Sequence, residues 1–133
     1  WTVCDSVYQR ALQIDSLNSL VNNNYAYSLS EREERLDDAL KMVQVAVDAD
    51  SDNTSYLDTI GWVYYKLGNY SEAKNYLEKA IEIGGEKSVM LDHLGDVMFK
   101  LGEIQKAKSL WQKAFDLDRT NVSLKSKIEK GEI

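Results

Sequence analysis

An all-α solenoid of antiparallel helix pairs is the fold this sequence predicts, and three observations predict it. The first is a 34-residue period: Leu57, Ile60, Gly61, Tyr64, Gly68, Tyr70, Ala73 and Ala80 are matched by Leu91, Leu94, Gly95, Met98, Gly102, Ile104, Ala107 and Ala114. Self-similarity at a fixed period of this size marks stacked supersecondary units, none of which buries its apolar face alone. The second is that each period holds two stretches with apolar spacings of three and four, the signature of two helices. The third is Gly68, answered by Gly102, in the place where one helix ends in a left-handed turn before the next begins.

The N-terminal stretch VCDSVYQRALQI puts Val3, Val7, Ala11 and Ile14 on one helical stripe. Its Tyr8, Ala11 and Ile14 correspond to Leu77, Ala80 and Ile83, less a slip of one residue. Residues 1–15 therefore read as the second helix of a truncated repeat, with an uncovered apolar edge. Cys4, the single cysteine, reads as a small apolar packing residue, and no disulfide can form within the chain.

Residues 16–53 form the first full unit. SLVNNNYAYSLSE is its first helix, with Tyr25, Ala26 and Leu29 in the places of Ile60, Gly61 and Tyr64. Asn22 to Asn24 are poor helix formers, so packing must carry this helix. In the second helix Leu36, Ala39, Val43 and Ala46 stand 34 residues before Tyr70, Ala73, Leu77 and Ala80, whereas Ala26 stands 35 before Gly61. The charged turn Arg32 to Arg35 therefore holds one extra residue, and a turn tolerates an insertion that leaves both helix faces in phase.

Residues 54–87 carry the pattern most clearly, with a second helix expected from about Tyr70 to Ile83 and Gly84-Gly85 as a loose junction. Residues 88–121 keep it, with Trp111 in the place of Leu77. Gly61 and Gly95 mark close crossings of first and second helices, where a larger side chain should cost ~1–3 kcal/mol. Residues 122–133 read as a capping helix with Leu124 and Ile128 on a narrow apolar stripe and Lys125, Lys127, Glu129 and Lys130 on a charged outer face.

The period and the run GWVYYKLGNYSEA resemble the tetratricopeptide-repeat motif over almost the whole chain. The resemblance implies a right-handed solenoid made of half a repeat, three full repeats and a cap, expected to be the C-terminal part of a longer array. It also implies a non-enzymatic protein-binding scaffold whose concave wall is built from the first helices. Long bacterial arrays of this type make a bacterial source the expectation, in cytoplasm or periplasm.

Bulk properties narrow the partners. A net charge of -6 argues against nucleic acid, which needs a basic surface. No apolar run reaches the ~18–20 residues of a membrane span, so no membrane insertion is expected. One histidine, one cysteine and no phosphate-cradling glycine loop give no catalytic constellation. His93 beside Asp92 and Asp96 makes an incomplete metal site and reads as a polar surface residue; no cofactor or metal is expected. Asn53, Asn69 and Asn121 each open an Asn-X-Ser triplet, which chance explains in a chain this rich in both residues.

On the first helices a second stripe runs beside the packing one: Asp58, Trp62 and Tyr65, with Asn23, Tyr27 and Ser30 one repeat before and Asp92, Asp96 and Phe99 one after. The expected groove thus offers Tyr27, Trp62, Tyr65 and Phe99 as platforms, with Asn23, Asp58, Asp92 and Asp96 among them. Aromatic anchors beside carboxylates suit a peptide or helix carrying Lys or Arg and an apolar side chain, bound near micromolar, about -8 kcal/mol. Family members that clamp a chaperone's C-terminal carboxylate use Lys, Asn and Arg on these helices. The matching places hold Asn23, Tyr27, Thr59, Val89 and His93, of which only Asn23 fits, and Asp58 and Asp92 repel a carboxylate. Two other readings stand beside groove binding: self-association through the exposed N-terminal helix, and a targeting arm for an active domain elsewhere in a larger protein.

Overall fold

The computed structural model describes residues 6–11 and 18–133. Residues 6–11 are helical, and seven further helices follow: α1 (Ser19–Glu31), α2 (Leu36–Ala49), α3 (Thr54–Lys66), α4 (Tyr70–Gly84), α5 (Ser88–Lys100), α6 (Ile104–Leu117) and α7 (Val122–Lys130). No strand occurs among the described residues. Val3, Cys4 and Ile14 lie outside them. Helices pack chiefly in the pairs α1–α2, α3–α4 and α5–α6, while α3 also meets α1 on one side and α5 on the other, so that the three form one wall.

Asparagine starts four of these helices. The Oδ1 atoms of Asn18, Asn53, Asn69 and Asn121 accept hydrogen bonds from the backbone N–H of Val21, Tyr56, Glu72 and Leu124 at 3.0–3.4 Å. Each satisfies one donor that the first helical turn leaves without a partner. The three Asn-X-Ser triplets are therefore helix starts, a physical cause for what reads in the sequence as chance.

The extra residue of the first repeat can be placed. Leu67 and Gly68 end α3, with Gly68 at φ +86°, and Asn69 N–H reaches back to the Tyr64 carbonyl; Gly102 and Glu103 repeat this after α5. After α1 the left-handed place is taken by Glu33 (φ +54°), and Glu34 N–H reaches back to Leu29. Arg35, itself left-handed at φ +48°, is the inserted residue. Non-glycine residues adopt this region at a cost, and Arg35 offsets it with contacts. Its guanidinium donates to Tyr25 Oη at 2.8 Å and to Asp38 Oδ2 at 3.1 Å.

The core runs along the interior of the helix pairs. Tyr25, Ala26, Leu29, Val43 and Ala46 fill the first, Leu57, Ile60 and Leu77 the second, and Leu91, Trp111 and Ala114 the third. Matching positions trade volume. As the second-helix residue grows from Val43 to Leu77 to Trp111, its first-helix counterpart shrinks from Ala26 to Gly61 and Gly95. A Cβ on Gly61 would stand 2.9 Å from Leu77 Cγ, and one on Gly95 only 2.5 Å from Trp111 Cδ1 and Nε1. Gly84 is likewise set by close approach, since its Cβ would lie 2.7 Å from Thr54 Cγ2. The junction read as loose from its two glycines is tightly packed there.

At the N-terminal end Tyr8 stacks on Tyr25, ring centroids 5.2 Å apart. Val7, placed on the apolar stripe by its spacing, is 62% exposed.

Candidate functional site: the wall of first helices

Successive first helices bring together rows of residues that are 34 or 35 apart in sequence. One row is Asn23, Asp58 and Asp92; its neighbour is Asn24, Thr59, His93 and Lys127. Across each repeat junction a member of the first row faces the next repeat's member of the second. His93 Nδ1 lies 2.9 Å from Asp58 Oδ1. Lys127 Nζ donates to Asp92 and, at 2.9 Å, to Asp96 Oδ1. In the remaining junction the facing pair is Asn23 and Thr59. There the hydroxyl of Thr59 donates to its own helix, to Ser55 O at 3.0 Å, and Asn23 Oδ1 is buried without a partner among the described residues.

Both occupied pairs favour the protonated form of their base. Burial opposes protonation of His93, but the hydrogen bond to Asp58 and the charges of Asp58, Asp92 and Asp96 outweigh it, so its pKa lies above the ordinary value of 6.5. Burial likewise works against the charge on Lys127, and its bonds to Asp92 and Asp96 prevail and push its pKa up. With two carboxylates sharing one lysine, burial and the neighbouring Asp92 keep Asp96 above the usual carboxylate range despite Lys127 and the Trp111 N–H.

His93 is thus a buried, paired residue rather than the polar surface residue its sequence context suggests. Lys127 departs from expectation in the same way. It is only 8% exposed and points into the wall instead of outward from the cap.

The eight residues of the expected groove divide. Trp62 is 7% exposed and sits in a three-ring stack, its centroid 4.6 Å from Tyr65 and 4.0 Å from His93. Its Nε1 donates to Glu31 Oε1 at 2.8 Å, and Lys66 Nζ lies 5.1 Å from its centroid. Phe99 packs 5.8 Å from Trp111, and Asp92 and Asp96 are engaged by Lys127. Asn23, Tyr27 and Asp58, in contrast, line one open cavity of about 680 Å³ with Tyr8, Glu31, Thr59, exposed Lys87, Val89 and Met90. Burial and the carboxylates of Glu31 and Asp58 push the Tyr27 hydroxyl up to about 12, so it remains a donor at any physiological pH.

Sequence reasoning missed Lys127 and Glu31. Extending the period by one more unit from Asp58 and His93 would have placed Lys127 beside Asp92. Glu31 had no such signal, because it ends α1 next to the charged turn.

The tetratricopeptide repeat family model matches residues 55–86, the same unit that carries the clearest pattern. A TPR repeat-containing protein of Pseudomonas aeruginosa is 29% identical over 62 residues, which are 47% of this chain and 10% of that protein. The chain contains a tetratricopeptide repeat. The chain spans about a tenth of the length of that curated relative. Among solved structures, the TPR protein YrrB, described as having an unusual peptide-binding site, superposes with a TM-score of 0.75 at 26% identity, covering 93% of this chain and 63% of that one. PilF of Pseudomonas aeruginosa gives 0.79 at 24% identity, with 93% and 56% covered. The first TPR of Spaghetti (RPAP3), solved with an HSP90 peptide, gives 0.77 at 19% identity, with 88% and 92% covered. The TPR solenoid, with its paired helices, is thereby shared with all three. No described helix is long and apolar enough to cross a membrane.

Proposed function

We propose that this TPR chain is a non-enzymatic interaction scaffold that holds a segment of a partner protein against the wall formed by α1, α3 and α5. The observation that carries the reading is the open cavity between α1, α3 and the start of α5. It joins apolar surface from Tyr8, Tyr27, Val89 and Met90 to the polar groups of Asn23, Glu31 and Asp58. A concave site of this size and mixed lining suits a few side chains of an extended or helical segment. TPR domains of similar fold solved with HSP90 and HSP70 peptides support the general mode. A carboxylate clamp is disfavoured, since Asp58 and Glu31 in the cavity lining would repel a carboxylate.

Tyr27 and Asp58 are the residues through which the cavity would act, Tyr27 as the aromatic face and Asp58 as the charge. Trp62, Tyr65, Asp92, Asp96 and Phe99 extend the same wall and would shape the path of a longer segment. Binding of random twelve-residue peptides selected on the wild-type chain tests the reading. Tyr27→Ala should weaken the selected peptides by about tenfold, the scale of an interface aromatic. Unchanged affinity in a folded variant would remove the cavity from consideration.

A further inference from the structure

We infer that the junction between the first two full repeats is a recognition subsite for a single Lys or Arg side chain of the partner. That side chain would supply the cation that His93 and Lys127 supply at the two later junctions. The inference rests on groove binding as proposed above and names what the cavity selects.

The same contact is built twice within the chain and omitted once. At Asp58 the next repeat contributes His93, and at Asp92 it contributes Lys127. At Asn23 it contributes Thr59, whose hydroxyl is committed to Ser55. Asn23 is only 7% exposed, yet its Oδ1 has no hydrogen-bond partner among the described residues. An orphaned buried acceptor of this kind is uncommon and costly. Its residue lines an open cavity, so a ligand's donor that enters there comes beside this side chain.

The charge of the surroundings selects the donor. Glu31 and Asp58 line the same cavity, with exposed Lys87 and the His93 imidazole, paired to Asp58, as the opposing groups. Asp58 shares His93 and Glu31 accepts from the Trp62 N–H, but neither carboxylate is bound to a lysine or arginine. Tyr8, Tyr27 and Met90 supply apolar surface for the methylene stem of a Lys or Arg, whose charged end would reach Asn23 Oδ1.

The test uses three capped peptides, acetyl-Ala-Leu-Xaa-Leu-Ala-amide with Arg, norleucine or Glu at the centre, titrated into isotope-labelled protein and followed by NMR. The Arg peptide should shift the Asn23 side-chain amide and bind about tenfold more tightly than the norleucine peptide, with the Glu peptide weakest. Thr59→Lys should fill the subsite from within, as Lys127 does at Asp92. It should raise the melting temperature and erase the preference for Arg. Asn23→Leu, which removes the acceptor without adding a cation, should reduce the same preference. Equal binding of the Arg and norleucine peptides, with shifts at Tyr27 and Asn23, would overturn the cation subsite and leave groove binding standing. Shifts confined to α2, α4 and α6 would overturn both. A dimer that forms with concentration and is dissolved by Thr59→Lys would put a second copy in the cavity and overturn the choice of a partner segment.

Discussion

His93 and Asp58 meet at 2.9 Å across a repeat junction, and one period later Lys127 meets Asp92 in the same way. In each pair the acid comes from one repeat and the cation from the next. The contacts therefore stitch neighbouring repeats along the wall that the apolar helix faces leave to polar side chains. In a solenoid, where stability is close to a sum of repeat and junction contributions, such contacts act on the junction.

His93 gives the first pH prediction. Its pKa is raised in the folded state, so its contribution to stability is fully present below the unfolded value near 6.5 and is lost as pH rises through the folded value. The wild-type melting temperature should decline from acid to neutral and mildly alkaline pH more than that of His93→Gln. An NMR titration should place the His93 midpoint above 6.5, and Asp58→Asn should lower it, because only the charges of Asp92 and Asp96 then oppose burial.

Lys127 gives the second. Lys127→Met leaves Asp92 and Asp96 without their cation and should destabilise the fold by about 1–3 kcal/mol at neutral pH, less than a fully buried broken pair because Asp96 can take up a proton. The loss should shrink toward pH 5, since a carboxylate with a raised pKa disfavours the folded state less as pH falls. Urea unfolding at both pH values checks the difference. Hydrogen exchange should quicken first in α7.

The helix crossings separate two opposed effects. Replacing a helical glycine by alanine gains up to about 1 kcal/mol in helix propensity, while overpacking costs about 1–3 kcal/mol. At Gly61 the close neighbours are Leu77 Cγ, the branch carbon of a buried side chain, at 2.9 Å and the Ala73 carbonyl oxygen at 3.3 Å, and Gly61→Ala should cost about 1 kcal/mol. At Gly95 the neighbour is the ring of Trp111, fixed by its N–H bond to Asp96 and its packing on Phe99. Gly95→Ala should therefore lower stability by about 1–3 kcal/mol, measurable by chemical denaturation.

Much of the fold was legible because the 34-residue period carries it. Packing positions such as Leu57, Leu77 and Ala80 face the core in every unit, so one well-marked repeat fixes the helices of the others. The asparagine caps were visible as residues but went unread, because a triplet pattern drew attention away from the helix start. The site was less legible for a physical reason. Spacing put Trp62, Asp96 and Phe99 on the inner stripe, but a stripe does not say which side chains are used up by the next repeat. Trp62 is taken by His93 and Tyr65, and Asp96 by Lys127 and Trp111, all partners that sit 3–31 residues away in sequence. Lys127 shows the same limit from the other side, since in a short charged helix its sequence neighbours gave no reason to expect burial.

The most direct test of groove binding is an NMR map of amide shifts caused by a peptide selected from a random library. The largest shifts should fall on α1, α3 and the start of α5, centred on Asn23, Tyr27 and Asp58. Shifts concentrated on the opposite helices, α2, α4 and α6, with α1 and α3 unmoved, would contradict it.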